Sequence, residues 1–249
     1  MERKLKDRVG EVHKTANYGT LKIIEYYGSG NCTVQFEDGT IVKQRKYAEI
    51  AVGKVRNPNM PNVCGLGFEG QGEYSAKDGG KDDRASRIWR AMFSRCHNER
   101  QHFYSANYVN VSVCEEWYNF QNFAKWFYEN YNPNTTEIFR LDKDILCPTC
   151  KVYSPDTCIF VPNEINVVFA ERKKKTEYKG VRKEGKRFKA QINIHGKRTH
   201  LGTFDTAEEA FQAYKIAKES YIKNLADKWK DQLSPKAYEA MYNYELKND

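Results

Sequence analysis

The residues best equipped for chemistry lie in the stretch RLDKDILCPTCKVYSPDTCIFVPNEINVVF, residues 140–169. Its Cys-Pro-Thr-Cys step spaces Cys147 and Cys150 as half of a tetrahedral zinc site, since thiolates on one turn can share a metal. Cys158 is close in sequence, and Cys96 with His97, or Cys114, could complete the set. Two reduced turn cysteines are the equal alternative. A redox pair is disfavoured, because no helix starts after the second cysteine. Just upstream, Leu-Asp-Lys-Asp places Asp142, Lys143 and Asp144 side by side. By residue type alone these carboxylates pair with Arg140 and neighbouring lysines at a charged strand end.

A second concentration of polar groups lies near the C-terminus. EYKGVRKEG, KRFKAQINIHG and KRTHLGTFD read as three antiparallel strands, with turns at Glu184-Gly185 and His195-Gly196. Alternation assigns Val181, Phe188, Ala190, Ile192, Ile194 and Leu201 to packing. It leaves Arg182, Lys189, Gln191, Asn193, Arg198, His200 and Thr203 for the open face. Arg can pair guanine with two hydrogen bonds and Asn or Gln can pair adenine, so such a curved sheet suits the major groove.

These groups need elements to hold them. TAEEAFQAYKIAKESYIKNL follows the strands as a helix, with Thr206 as N-cap and Glu209 three residues on as a capping box. Ala210, Ala213, Tyr214 and Ala217 form a narrow stripe that lets this helix lie close to the sheet. DKWKDQLSPKAYEAMYNYELKND continues as a charged surface helix that completes the fold or contacts a partner, without chemistry. In the middle, RASRIWRAMFSRC puts Ile88, Trp89, Met92, Phe93 and Cys96 on one helical face. CEEWYNFQNFAKWFYEN does the same with Trp117, Phe120, Phe123, Ala124 and Phe127. Near the N-terminus, VGEVHKT, TLKIIEYY, NCTVQFEDG and IVKQRKYAEI read as strands, with a tight turn at Asp38-Gly39. Strands of this size are expected to curl into a small SH3-like barrel, contacting either nucleic acid or protein.

The predicted organisation is α+β and multidomain. A small β-barrel module covers residues 1–56 and a linker or arm 57–80. A central helical and ββα domain covers 81–170, a basic linker 171–176, and the three-stranded sheet with its helices 177–249. The 249 residues carry a net charge of +8 and a pI near 9.0, which attracts polyanions. No apolar run approaches the roughly 20 residues that span a bilayer, and MERKLKDRVGEV lacks an apolar signal core. The expectation is an intracellular protein of a host cytoplasm, not secreted and without a membrane partner, whose seven cysteines are reduced. Nucleic acid is then the favoured polyanion.

YKGVR, FKAQI and LGTFDTAEEAFQAY closely resemble the APETALA/ethylene-response-factor DNA-binding domain over about 50 residues. The resemblance implies that Arg182, Gln191, Asn193, Arg198, His200 and Thr203 touch double-stranded DNA, with Lys179 and Tyr214 on its backbone. Plant members carry Arg and Trp where this chain has Asn193 and His200, so their target sequence does not transfer. LDKDIL through NEINVVF resembles the HNH nuclease motif, particularly phage-type homing endonucleases whose final His is Asn. On that template Asp142 and Asn166 hold Mg²⁺ or another divalent metal. Lys143 or Asp144 stands where the general-base His belongs, and Thr157 where the orienting Asn belongs. Two expected side chains are thus missing. The implied function is sequence-specific DNA binding coupled to metal-dependent cleavage by a phage or mobile-element endonuclease. The alternative is a catalytically degenerate regulator or inhibitor that binds DNA, or a host or defence protein, without cutting.

Overall fold

The computed structural model describes residues 7–100, 108–131, 137–170 and 178–247. The chain forms two compact units, Met1–Val109 with Val113–Lys125, and Asn110–Ser112 with Trp126–Asp249.

In the first unit β1 (Val12–Lys14), β2 (Thr20–Tyr26), β3 (Cys32–Phe36) and β4 (Ile41–Arg45) form an antiparallel meander in that order. Period-two alternation puts Leu21, Ile23, Val34, Phe36 and Val42 in a core completed by Ile50 and Val55. The Asp38-Gly39 turn forms as predicted, with Gly39 at φ 86° and Asp38 Oδ1 accepting from the Thr40 N–H at 2.9 Å.

The SH3-like barrel does not form. The sheet stays open, with β1 and β4 at its two edges and no closed or strongly curled sheet among the described residues. The reason is local: the stretch read as one last strand leaves the extended state after Arg45. Its second half becomes the one-turn helix α1 (Tyr47–Ala51), which contributes Ile50 to the core instead of a closing strand.

A short hairpin, β5 (Lys77–Asp78) with β6 (Lys81–Asp82), leads into α2 (Arg84–His97). The Asp83 carboxylate caps α2 by accepting from the Ala85 N–H at 2.8 Å. Trp89, Met92, Phe93 and Cys96 are buried along one face, as their spacing predicts, whereas Ile88 is half-buried and Ala85 is buried in addition. Beyond β7 (Ser112–Val113), α3 (Phe120–Asn130) buries Phe120, Phe123, Ala124 and Phe127. Trp117 is buried too, and its carbonyl accepts from Trp89 Nε1 at 2.7 Å.

In the second unit β8 (Phe139–Asp142) pairs antiparallel with β10 (Ile159–Pro162). Between them runs β9 (Val152–Tyr153), and after them α4 (Asn163–Phe169), which completes the strand–strand–helix order. A second sheet follows: β11 (Val181–Glu184), β12 (Arg187–Ile194) and β13 (Lys197–Phe204), antiparallel and in sequence order. The long helix α5 (Ala207–Lys228) packs on it, and α6 (Pro235–Tyr242) packs on α5. The predicted capping box is present, with Thr206 accepting from the Glu209 N–H and Glu209 from the Thr206 N–H. One buried cluster joins Ile145, Ile159, Val161 and Ile165 to Ile192, Ile222, Leu225 and Met241. The ββα element and the C-terminal sheet therefore share a core. The expected basic linker, 171–176, lies outside the described residues. No described helix is long and apolar enough to cross a membrane.

Candidate nucleic-acid interface

The register of the three strands decides which side chains share a face. Arg182 lies opposite Lys189, and Lys189 opposite Thr203. Gln191 lies opposite His200, and Asn193 opposite Arg198. These three cross-strand rows gather seven polar residues on one side of the sheet. The rows between them, Val181–Ala190–Gly202 and Ile192–Thr199, and the flanking row Lys183–Phe188–Phe204 belong to the other side, where Val181, Ala190, Phe188 and Phe204 pack with Ala210 and Phe211 of α5.

A register shift makes the polar face continuous. Ala190 pairs Gly202 while Gln191 pairs His200, so Leu201 is an extra residue on β13. His200 and Thr203, both expected on the open face, are three residues apart and could not share it on an unbroken strand. The bulge at Leu201 reverses the parity and brings both to the polar side, while Leu201 itself packs into the core.

Arg182, Asn193, Arg198 and His200 are exposed, and Lys189, Gln191 and Thr203 half-buried. Between residues 178 and 206 eight Lys and Arg face two acids, Glu184 and Asp205. Asp205 pairs with Arg187 at 3.0 Å, and Glu184 lies 4.0 Å from Lys189. The side chains of Arg182, Gln191, Asn193, Arg198 and His200 make no hydrogen bond or ion pair among the described residues. Their donors and acceptors face solvent, where a ligand can meet them.

Lys179 and Tyr214 are not in these rows. Lys179 sits half-buried in the turn before β11. Tyr214 is on α5, and its ring lies against Gly180, where an added Cβ would approach a ring atom to 2.1 Å. Gly180 has φ 73°, so both the backbone and the ring require glycine there. Burial pushes the Tyr214 hydroxyl pKa up.

The other candidate site is the loop after β8. Asp142 is buried, and its Oδ1 accepts from the N–H groups of Asp144 at 2.8 Å and Ile145 at 2.9 Å. Burial raises its pKa against the pull of those two donors. Its Oδ2 makes no hydrogen bond among the described residues, so one oxygen remains for a cation. Lys143 is also buried, and its ammonium donates to Asp144 and to the Cys150 carbonyl. Thr157 donates to the Val152 carbonyl at 2.7 Å and accepts from the Ser154 N–H at 3.1 Å, which braces the turn before β10. Asn166 lies half-buried on α4 and shares no hydrogen bond with Asp142.

An Asp–Asn pair can supply two oxygen ligands to a divalent ion, and Asp142 Oδ2 fits that use. Among the described residues no three His, Cys, Asp or Glu side chains cluster tightly enough to hold a metal. Cys147 and Cys150 are joined as a disulfide, unlike the expected reduced pair. Their turn brings the Cα atoms within 5.3 Å, inside bridging range, and the pair offers thiolates to zinc only when reduced.

A residue that pattern reading passes over is Glu164, in the first turn of α4. Its carboxylate accepts from Lys228 Nζ at 2.6 Å and Trp229 Nε1 at 3.0 Å, and bonds His195 Nδ1 at 3.0 Å. Burial opposes its ionisation, but the Lys228, Trp229 and His195 contacts outweigh it and hold the carboxyl below its usual pKa. His195 is the left-handed residue at the tip of the β12–β13 hairpin, with φ 49°.

No protein family, curated protein or solved structure matches this chain.

Proposed function

We propose that the protein binds double-stranded DNA sequence-specifically, inserting the polar face of β11–β13 into the major groove. One observation carries this reading: three register-matched rows of cationic and amide side chains, of which Arg182, Gln191, Asn193, Arg198 and His200 have no side-chain partner among the described residues. Arg182 and Arg198 offer planar forks to guanine or phosphate, and Gln191 and Asn193 present paired donor and acceptor groups to adenine. Selection of bound duplexes from random DNA by the full chain tests it. A compact shared motif is expected; recovery of unrelated sequences at background affinity refutes it.

A second reading, metal-dependent cleavage, rests on Asp142. A carboxylate so deeply buried, whose Oδ2 makes no hydrogen bond among the described residues, suits a divalent ion, with Asn166 as the other protein ligand. When bound there, the ion would polarise a phosphate and activate water. The chain's part is then to hold the ion and place the DNA over it, because Lys143 is engaged by Asp144 and Cys150. On supercoiled plasmid this reading expects nicking that needs Mg²⁺ or Mn²⁺ and disappears in Asp142→Ala. Tight binding without nicking under either ion favours instead a regulator built on a nuclease-like scaffold.

A further inference from the structure

The reading face ends at the row Asn193–Arg198, next to the turn that closes the β12–β13 hairpin. Beyond β11 this hairpin has only two strands, and a two-stranded ribbon twists and bends more easily than a three-stranded sheet. In β11 pairing stops at Val181 opposite Ala190, so Asn193 and Arg198 have no third strand beside them. Their position needs another support.

That support comes from the ββα element. His195, at the tip, is held twice: its N–H donates to the Tyr221 hydroxyl at 3.2 Å, and its ring Nδ1 bonds Glu164 at 3.0 Å. Glu164 is fixed in turn by Lys228 and Trp229 at the end of α5. Below them Ile165 of α4 and Ile192 of β12 lie in the same buried cluster. A single exposed ion pair would hold little, but here one carboxylate, only 26% exposed, collects three partners from two elements. Left-handed backbone at His195 and Gly196 (φ 78°) makes the turn tight, so a pull on the imidazole is transmitted directly to the strand ends.

The geometry points to Glu164 as a positioning residue for DNA reading: through His195 it fixes where Asn193 and Arg198 meet the bases. The ββα element thereby acts as a strut for specificity, whether or not it cuts. This inference rests on the proposed binding face. Glu164 touches no DNA in this account and acts only through the hairpin tip.

Sequence selection with the full chain, repeated for Glu164→Ala and His195→Ala, tests the strut. Each variant should lose roughly 3–10-fold in affinity for the wild-type site. The lost base preference should be confined to contiguous positions at one end of the motif, the same end that Asn193→Ala relaxes. Positions relaxed by Arg182→Ala should keep their preference. Combining Glu164→Ala with His195→Ala should add little further loss, because both break one linkage. Glu164→Gln keeps an oxygen for Trp229 and should restore part of the preference. Uniform weakening across the motif, or an unchanged motif in folded Glu164→Ala, overturns the strut while leaving the binding face standing. Failure of the wild type to select any duplex overturns the binding face itself. Thermal unfolding of each variant identifies any that lose their fold, and for those His195→Gln, which leaves Glu164 with Lys228 and Trp229, supplies the comparison.

Discussion

Replacing Arg182 and Arg198 together with Ala is expected to lower affinity for duplex DNA by roughly 30-fold or more, at about 1 kcal/mol or more for each side chain. Both guanidinium groups are exposed on the polar face and lack partners among the described residues, so their removal leaves no buried charge behind. Stability should therefore stay within about 0.5 kcal/mol of the parent. Lost phosphate contact also shows as a shallower dependence of log affinity on log salt, by about one for each contact removed. The sharper comparison is with Lys183 and Lys197, exposed cations in rows of the opposite parity to Arg182. Replacing these two with Ala removes the same charge and should change affinity much less. Equal losses from the two sets would mean that net charge, and not this face, governs binding.

The second large effect concerns the shared core. Leu225→Ala or Ile222→Ala should cost about 2–5 kcal/mol, because each removes a fully buried side chain from a cluster that both parts of the second unit line. The physical reason is continuity: Ile145, Ile159, Val161 and Ile165 come from the ββα element, and Ile192, Ile222 and Leu225 from the sheet and α5. A fragment confined to residues 178–247 would expose that half of the cluster to water. Its unfolding midpoint should fall well below that of the intact chain, and adding residues 137–170 in the same polypeptide should restore it. Thermal unfolding of the two fragments checks this. Equal midpoints would show that the sheet and α5 close a core without the ββα element.

The parts of the fold that were legible in the sequence are those governed by local periodicity. Trp89, Met92, Phe93 and Cys96 recur at helical spacing and are buried on α2. Thr206 with Glu209 announces the start of α5, and Gly185 and Gly196 mark the two hairpin turns at φ 64° and 78°. The N-terminal module was less legible. Arg-Lys-Tyr-Ala-Glu-Ile has the Tyr and Ile of a strand, yet whether it extends or coils depends on what the core of the unit still lacks. There, Ile50 from a helical turn fills the space. Register is also a long-range property. The bulge at Leu201 cannot be counted from one strand, since it appears only when β13 is laid against β12.

The candidate sites show the same division. Alternation and the register both place Arg182, Lys189, Gln191, Asn193 and Arg198 on the polar face, because strand parity is local. The support behind them was invisible. Glu164 lies 31 residues from His195 and 64 from Lys228, with no repeating pattern linking them. Around Asp142 the types were legible and the partners were not. The sequence shows Asp-Lys-Asp, whereas the fold turns Asp142 Oδ1 toward two backbone N–H groups and locks Lys143 between Asp144 and Cys150.

The claim that the β11–β13 face meets DNA is tested most directly by backbone amide chemical shifts of the isotope-labelled full chain during titration with a selected duplex. The account predicts the largest changes at Arg182, Lys189, Gln191, Asn193, Arg198 and His200, with small ones along β1–β4 and the exposed side of α5. Saturable binding whose shifts cluster on α5 or on the N-terminal sheet, with β12 and β13 undisturbed, would contradict it.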